Sequence, residues 1–161
     1  SRARKVFTIL HGLIHSSNTK LITGSEAVGT PILTRLRVLT LTLFYELSFY
    51  FSKNKLLIGY HILPLLQEML QSTTSRDLIH ISLDLLSSLV LEPDVVNMLR
   101  GEKKVKDYPG LHNIMTSEQV YTTHIIKDFQ TTLTSCGEIS EFKSMVSKIV
   151  ERVYRAVETV L

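Results

Sequence analysis

Apolar residues recur every three to four positions along most of the chain, which is the spacing of helices that bury one face. Residues 39–43 alternate leucine and threonine as a strand would, but helical spacing continues from there to Phe51. Because the helical pattern covers about 20 positions, its length favours a helix over a strand. Thr30 as N-cap and Pro31 in the first turn predict a helix over about residues 31–52.

An internal repeat is found when the chain is shifted by 42 residues, so that segment 39–59 overlies segment 81–101. The identical pairs are Leu41/Leu83, Leu43/Leu85, Leu47/Leu89, Leu57/Leu99 and Gly59/Gly101. In both copies a long helix, a short linker, a short apolar helix and a glycine follow in the same order. Units of this kind bury their apolar faces by stacking on one another. The pattern therefore predicts that the stretches around Leu43 and Leu85 are neighbouring helices.

Residues 53–101 resemble the three-helix unit of armadillo repeats. The residues that carry the resemblance are Gly59, Ile62, Pro64, Leu65, Leu66, Met69, Leu70, Ser72, Leu83, Leu86 and Leu89. In that family a short first helix ends in glycine, a second opens with proline and a Leu-Leu pair, and a third carries a leucine stripe. The resemblance implies an all-α fold: a right-handed, armadillo-like α-solenoid fragment of about three repeats with a C-terminal capping helix.

The flanking segments extend this organisation in both directions. Residues 6–16 resemble the second helix of a unit whose third helix is the one near Leu43, and residues 17–30 form a predicted insertion loop. Residues 108–115 and 117–133 are the predicted second and third helices of a last unit. The chain is therefore predicted to be one domain over residues 1–161, with units of about 1–52, 53–93 and 94–136 and a capping helix over 139–161.

The C-terminal segment has the clearest amphipathic pattern. Ser140 is the predicted N-cap, and Glu141 lies at the positive end of the helix dipole. One apolar row comprises Phe142, Val146, Ile149, Val153, Ala156 and Val160, and a second comprises Met145, Val150, Val157 and Leu161. We expect this helix to cap the last repeat. The alternative is docking on another chain, including a homodimer through residues 139–161.

Composition bounds the location and excludes a membrane span. The single cysteine, Cys136, precedes Gly137 in a predicted loop and cannot form an internal disulfide, and the chain has no N-glycosylation triplet. We therefore expect an intracellular protein, cytoplasmic or nuclear. The longest apolar stretch, residues 36–51, contains two charged residues and is shorter than the roughly 18 residues that a membrane span requires.

The sequence contains no clear motif for catalysis or metal binding. His11 and His15 have the i, i+4 spacing of a metal pair, as do His80 and Asp84, but neither pair has an obvious third ligand. No phosphate-binding glycine loop, dinucleotide fingerprint or serine nucleophile motif is present. The sequence therefore predicts no catalytic residue, no metal site, no cofactor and no enzymatic activity.

The armadillo resemblance implies a concave groove lined by the third helix of each unit. The positions that correspond to its groove residues are Thr42, Glu46, Asp84, Ser88, His124 and Asp128. The Trp/Asn ladder that clamps extended peptides is absent, since the chain has no Trp. Three carboxylates and no Lys or Arg among these positions favour a basic partner. We predict a non-catalytic interaction or scaffold module of a larger protein, binding a protein or peptide.

A different reading starts from the basic N-terminal part of the chain. Residues 1–37 contain six basic residues and one acidic residue. The candidate basic patch comprises Arg2, Arg4, Lys5, Arg35 and Arg37. It leaves nucleic-acid or acidic-surface binding as an alternative function. The basic residues are not interleaved with aromatic residues, as in most nucleic-acid surfaces, and this disfavours nucleic acid as the partner.

Overall fold

The computed structural model describes residues 26–50, 52–100 and 129–155, and in these ranges all regular secondary structure is helical. The elements are α1 (Glu26–Leu47), α2 (Ser52–Ser72), α3 (Arg76–Leu89), α4 (Pro93–Arg100), α5 (Phe129–Gly137), a 3₁₀ turn (Ser140–Phe142), α6 (Lys143–Val150) and a π-helical turn (Glu151–Arg155). The all-α prediction is confirmed for this part of the chain, and the leucine-threonine alternation in α1 is helical.

Helix α1 is displaced towards the N-terminus relative to its prediction. It begins at Glu26, so that Pro31 lies inside the helix and not at its first position. It ends at Leu47 because the next residues form tighter turns, in which the N–H of Tyr50 donates to the Leu47 carbonyl. The side chain of Asn54 donates to the same carbonyl at 3.0 Å. These bonds satisfy carbonyl groups at the helix end, where no intrahelical donor is available.

Helix α2 is one continuous helix where the armadillo pattern predicts two. The sequence predicts one helix ending at Gly59 and another opening near Pro64, whereas Ser52–Ser72 is continuous. Gly59 serves close packing and does not end the helix. A Cβ on Gly59 would lie 3.2 Å from Cγ2 of Val95, which is tighter than normal contact. The glycine therefore allows α2 to approach α4 closely.

Helix α3 begins at a local capping signal, and its C-terminal end is contacted by a residue distant in sequence. The Oγ of Ser75 accepts a hydrogen bond from the N–H of Leu78 at 3.3 Å, and Asp77 adds a negative charge to the first turn. At the other end, the carbonyl of Val90 accepts a hydrogen bond from Nε of Arg152, 2.9 Å away. Pro93 then opens α4, where its missing N–H leaves no donor unused.

Helices α1 and α3 are neighbours, as the internal repeat predicts. They pack directly on one another, and their C-terminal ends meet where the hydroxyl oxygens of Ser48 and Ser88 are 2.6 Å apart. Several residue pairs that are 42 positions apart are also alike in their burial. Both members are buried in the pairs Leu41/Leu83, Phe44/Leu86, Leu56/Met98 and Leu57/Leu99.

The C-terminal elements complete one continuous apolar core. Helix α6 packs against both α5 and α3, and the described members of the first predicted row, Phe142, Val146, Ile149 and Val153, are buried. Ala156 and Val160 of that row lie outside the described residues. Two predictions were wrong. Ser140 does not cap the helix, because a 3₁₀ turn preceded by Ile139 opens this segment. Cys136 lies within α5 and not in a loop, and its small apolar side chain is buried.

Candidate interaction surface

The outer face of α1 carries an apolar stripe that described residues leave uncovered. We define the α1 stripe as Ile32, Leu36, Leu39 and Leu43, which follow one another at intervals of four, three and four residues. Ile32, Leu39 and Leu43 are 72%, 56% and 44% exposed. This spacing is that of a coiled-coil seam, in which one helix receives the side chains of another. Contiguous exposed apolar side chains of this kind are typical of interaction surfaces.

The corresponding face of α3 is covered. Shifting by 42 residues places Leu78, Ile81 and Leu85 at the positions of Leu36, Leu39 and Leu43, and both leucines of α3 are fully buried. Helix α3 lies against α1, α2 and α6, whereas the extensive packing of α1 within the described ranges is against α3. The α1 stripe is therefore the face on which a further helix would lie if the arrangement continued.

The groove positions predicted on α1 differ in their availability. The Thr42 hydroxyl donates to the carbonyl of Val38 at 2.7 Å, and the residue is half-buried. Glu46 is exposed and lies three residues beyond Leu43, which places its carboxylate at the C-terminal end of the α1 stripe. Glu46 therefore presents a carboxylate to solvent, whereas the neutral hydroxyl of Thr42 is used within α1.

The groove positions predicted on α3 are engaged by other side chains. Asp84 is half-buried, and its carboxylate lies 3.1 Å from Nδ1 of His80. Ser88 is only 4% exposed. The remaining two positions, His124 and Asp128, lie outside the described residues.

Ser88 belongs to a polar network that sequence reasoning missed. Nζ of Lys55 donates to Oγ of Ser88 at 2.9 Å, and Oγ of Ser48 donates to the carbonyl of Tyr45 at 2.6 Å. Because Ser48 uses its proton in that bond, the hydroxyl of Ser88 donates to Ser48. Lys55 also lies 4.9 Å from the centre of the Phe49 ring, a cation–π distance.

Lys55 places a cation beside the predicted groove position Ser88. The sequence analysis predicts no Lys or Arg among the groove positions. Burial lowers the pKa of Lys55, and the nearby Glu92 opposes this shift by favouring the charged amine. Lys55 and Ser88 are 33 residues apart along the chain, and no pattern in the sequence indicates that their side chains meet. Among the groove positions that the structure describes, Glu46 is therefore the exposed carboxylate, and the residues around Ser88 include a cation.

A lysine close to serine hydroxyls can, in other settings, activate a serine as a nucleophile. A serine nucleophile needs an exposed oxygen and a base that can accept its proton. Here both serines are buried, Lys55 is the donor, and each hydroxyl proton points into the protein and ultimately to a backbone carbonyl. The network therefore satisfies polar groups at the end of α1 and has no accessible nucleophile.

Arg37 does not belong to an exposed basic patch, contrary to the prediction. Arg35 is exposed, but Arg37 is only 5% exposed and lies on the buried face of α1. Its Nε and Nη2 have no hydrogen-bond partner in the described part of the chain, and burial lowers the pKa of its guanidinium. Arg37 cannot offer its charge to an external ligand from this position. Arg2, Arg4 and Lys5 lie outside the described residues.

Metal and thiol chemistry find little support in the described ranges. No group of three His, Cys, Asp or Glu residues there could hold a metal ion. Cys136 is buried, and burial raises the pKa of its thiol, which reduces the thiolate available for reaction. The pair His11 and His15 lies outside the described residues.

Comparisons with known proteins do not assign the chain to a family. No family model matches it, and neither curated proteins nor solved structures give a significant match. The armadillo resemblance therefore rests on the sequence pattern alone. Among the helices that the structure describes, none combines the length and the apolar character needed to cross a membrane.

Proposed function

We propose that this chain is a non-catalytic protein-interaction module that binds an amphipathic, basic helix on the α1 stripe and Glu46. The observation that carries the proposal is the exposure of Ile32, Leu39 and Leu43 along one helical face. Contact with a helix would remove these side chains from water, at roughly 25 cal/mol for each Å² of apolar surface buried. The proposed role is that of an interaction or scaffold module of a larger protein.

The spacing of the stripe supports a helical partner over an extended peptide. Intervals of four, three and four residues present knobs and holes to another helix, whereas an extended peptide is held by its backbone groups. Groove positions that could serve a peptide backbone are engaged internally, since Ser88 is bonded to Ser48 and Lys55. Glu46 at one end of the stripe adds charge complementarity to a basic helix.

The packing of α1 on α3 supports an armadillo-like arrangement as part of this proposal. In a right-handed solenoid the long helices of successive units lie side by side, and a terminal unit presents an uncovered face. Helix α1 would occupy such a terminal position among the described elements, and the stripe would be its uncovered face.

The test uses two synthetic helical peptides that share a leucine seam, one with lysines on its flanks and one with glutamates. We expect the lysine peptide to bind the full chain more tightly than the glutamate peptide in a fluorescence anisotropy titration. Leu39→Asp and Leu43→Asp should each weaken binding of the lysine peptide by at least about tenfold, and Glu46→Lys by about threefold to tenfold.

Leu91→Asp provides the matched control, because Leu91 is 51% exposed but lies outside the stripe. This variant should bind the lysine peptide like the parent chain. Equal losses in Leu91→Asp and Leu39→Asp would contradict the proposal, as would equal binding of both peptides by the parent chain.

A further inference from the structure

We propose that the α1 stripe binds the α1 stripe of a second copy of this chain, so that two copies form an antiparallel, two-fold symmetric pair of α1 helices. The inference rests on the surface of the proposed function and names a partner for it. Helix α1 itself has the features of that partner, because it carries an apolar seam with an exposed basic residue, Arg35, on its flank.

The exposed apolar positions of α1 match their own order read in reverse. When two copies of α1 lie antiparallel with Leu39 of one level with Leu43 of the other, two-fold symmetry repeats the same contact. In this register Ile32 is level with Tyr50 of the second copy, which is exposed in the turn that follows α1. Each of these four side chains, exposed in the single chain, therefore meets an apolar or aromatic side chain of the second copy.

Opposite charges flank the stripe near its two ends. Arg35 and Glu46 are exposed and eleven residues apart, which is about three helical turns or 16 Å, so they lie on the same side of α1. In the antiparallel register Glu46 is level with Leu36 of the second copy, one residue from Arg35. A charge-assisted contact between Arg35 and Glu46 can therefore form twice in the dimer.

These charges also select the orientation of the two helices. A parallel pair in register would place Arg35 beside Arg35 and Glu46 beside Glu46, where like charges repel. The antiparallel pair replaces both repulsions by attractions. The charge pattern and the apolar pattern thus favour the same arrangement.

The small size of the contact predicts a weak, concentration-dependent dimer. One helix of each copy takes part, whereas a stable interface usually has about 20–30 residues on each side. We therefore expect a dissociation constant on the order of 10–100 µM, which is typical of transient complexes. An external helix would have to displace the second copy from the stripe.

Sedimentation velocity of the full chain between about 5 and 300 µM tests the self-association. The sedimentation coefficient of the parent chain should rise from that of a monomer towards that of a dimer. Leu39→Asp and Leu43→Asp should each raise the dissociation constant at least about tenfold. Leu91→Asp changes an exposed leucine outside the stripe and should leave it unchanged. A parent chain that stays monomeric, or equal losses in Leu91→Asp and Leu39→Asp, would overturn the inference.

Charge reversal tests the antiparallel register. Arg35→Glu and Glu46→Lys should each raise the dissociation constant by about threefold to tenfold, because each variant places like charges together at both ends of the contact. An equimolar mixture of the two variants restores opposite charges at both ends and should associate like the parent chain. The double variant Arg35→Glu/Glu46→Lys should do the same. Failure of both the mixture and the double variant to recover would overturn the inference.

Titration with the lysine-flanked peptide separates the inference from the proposed function. Saturating peptide should convert the dimer of the parent chain into monomers, and a dimer that persists would overturn the inference. A chain that is monomeric at all concentrations but binds the peptide would reject the inference and leave the function standing. A dimer that depends on Leu39 and Glu46, in a chain that binds neither peptide, would support the inference and reject the function.

Discussion

Helices α1 and α3 carry apolar residues at matching positions 42 residues apart, but their surroundings differ. Helix α3 lies between α1, α2 and α6, so its apolar residues are buried around most of its circumference. Helix α1 buries the face that meets α3 and leaves Leu39 and Leu43 exposed. An apolar pattern therefore indicates which faces of a helix could be buried. The neighbouring elements determine which of those faces are actually buried.

The largest expected effect contrasts the matched pair Leu85 and Leu43. Leu85→Ala removes a fully buried side chain and should lower the free energy of unfolding by about 2–5 kcal/mol. Leu43→Ala removes a side chain that is already half in water and should cost under about 1 kcal/mol. Urea denaturation followed by circular dichroism measures both. Similar losses in the two variants would show that the α1 stripe is covered.

The second prediction concerns Arg37, which corresponds to the buried Ile79 of α3. A buried guanidinium without partners at Nε and Nη2 is costly, so Arg37→Leu should stabilise the fold by about 1–4 kcal/mol. The exposed Arg35 is the matched control, and Arg35→Leu should change stability by less than about 0.5 kcal/mol. A destabilised Arg37→Leu variant would reveal a partner for Arg37 that the described residues do not supply.

The third prediction compares Ser88 with Glu46, its counterpart on α1. Ser88→Ala removes the acceptor of Lys55 and the donor to Ser48, and should lower the free energy of unfolding by about 1–3 kcal/mol. Glu46→Ala changes an exposed residue and should alter stability by less than about 0.5 kcal/mol. Thermal denaturation of both variants provides the measurement. An unchanged melting temperature for Ser88→Ala would argue against a structural role for the network.

The last effect appears only in alkaline solution and concerns Tyr154, in the π-helical turn that packs against α4. Burial raises the pKa of Tyr154 to about 12, and Arg100 acts in the opposite direction. Its neutral phenol therefore stabilises the fold below about pH 10, and this contribution is lost as the pH rises towards 12. Tyr154→Phe should show a shallower loss of stability between pH 10 and 12. Burial also raises the pKa of Tyr60, so part of the alkaline slope should remain.

The exposed Tyr50 offers the control for this measurement. Tyr50→Phe should reproduce the parent slope in denaturation experiments across the same pH range. A slope in Tyr154→Phe equal to that of the parent chain would contradict the assignment of the alkaline effect to Tyr154.

Much of the helical architecture could be predicted from local signals in the sequence. Ser75 followed by Asp77 defines the start of α3, and Pro93 opens α4. The 42-residue shift correctly placed the helices around Leu43 and Leu85 side by side. These features depend on residues close in sequence or on a repeated pattern, and for this reason they can be predicted from the sequence.

The failures share a different cause, since each depends on a contact distant in sequence. Gly59 looks like a helix end in the sequence, but α2 continues through it, and the missing Cβ lets α4 approach closely. Arg37 reads as a surface cation, but it lies on the face that packs into the core. Ser88 reads as a groove residue, but Ser48 and Lys55 engage it. The internal repeat predicts that Leu39 and Leu43 are buried by stacking, but the structure leaves both exposed.

The position of Cys136 gives this molecule an intrinsic reporter. It is the chain's only cysteine, and it is buried between α5 and its neighbours. A thiol reagent in excess can modify it only when the fold opens, so the labelling rate measures the frequency of opening without any introduced dye or mutation. The rate in the presence and absence of a candidate binding helix would show whether occupation of α1 changes the opening of the core around α5.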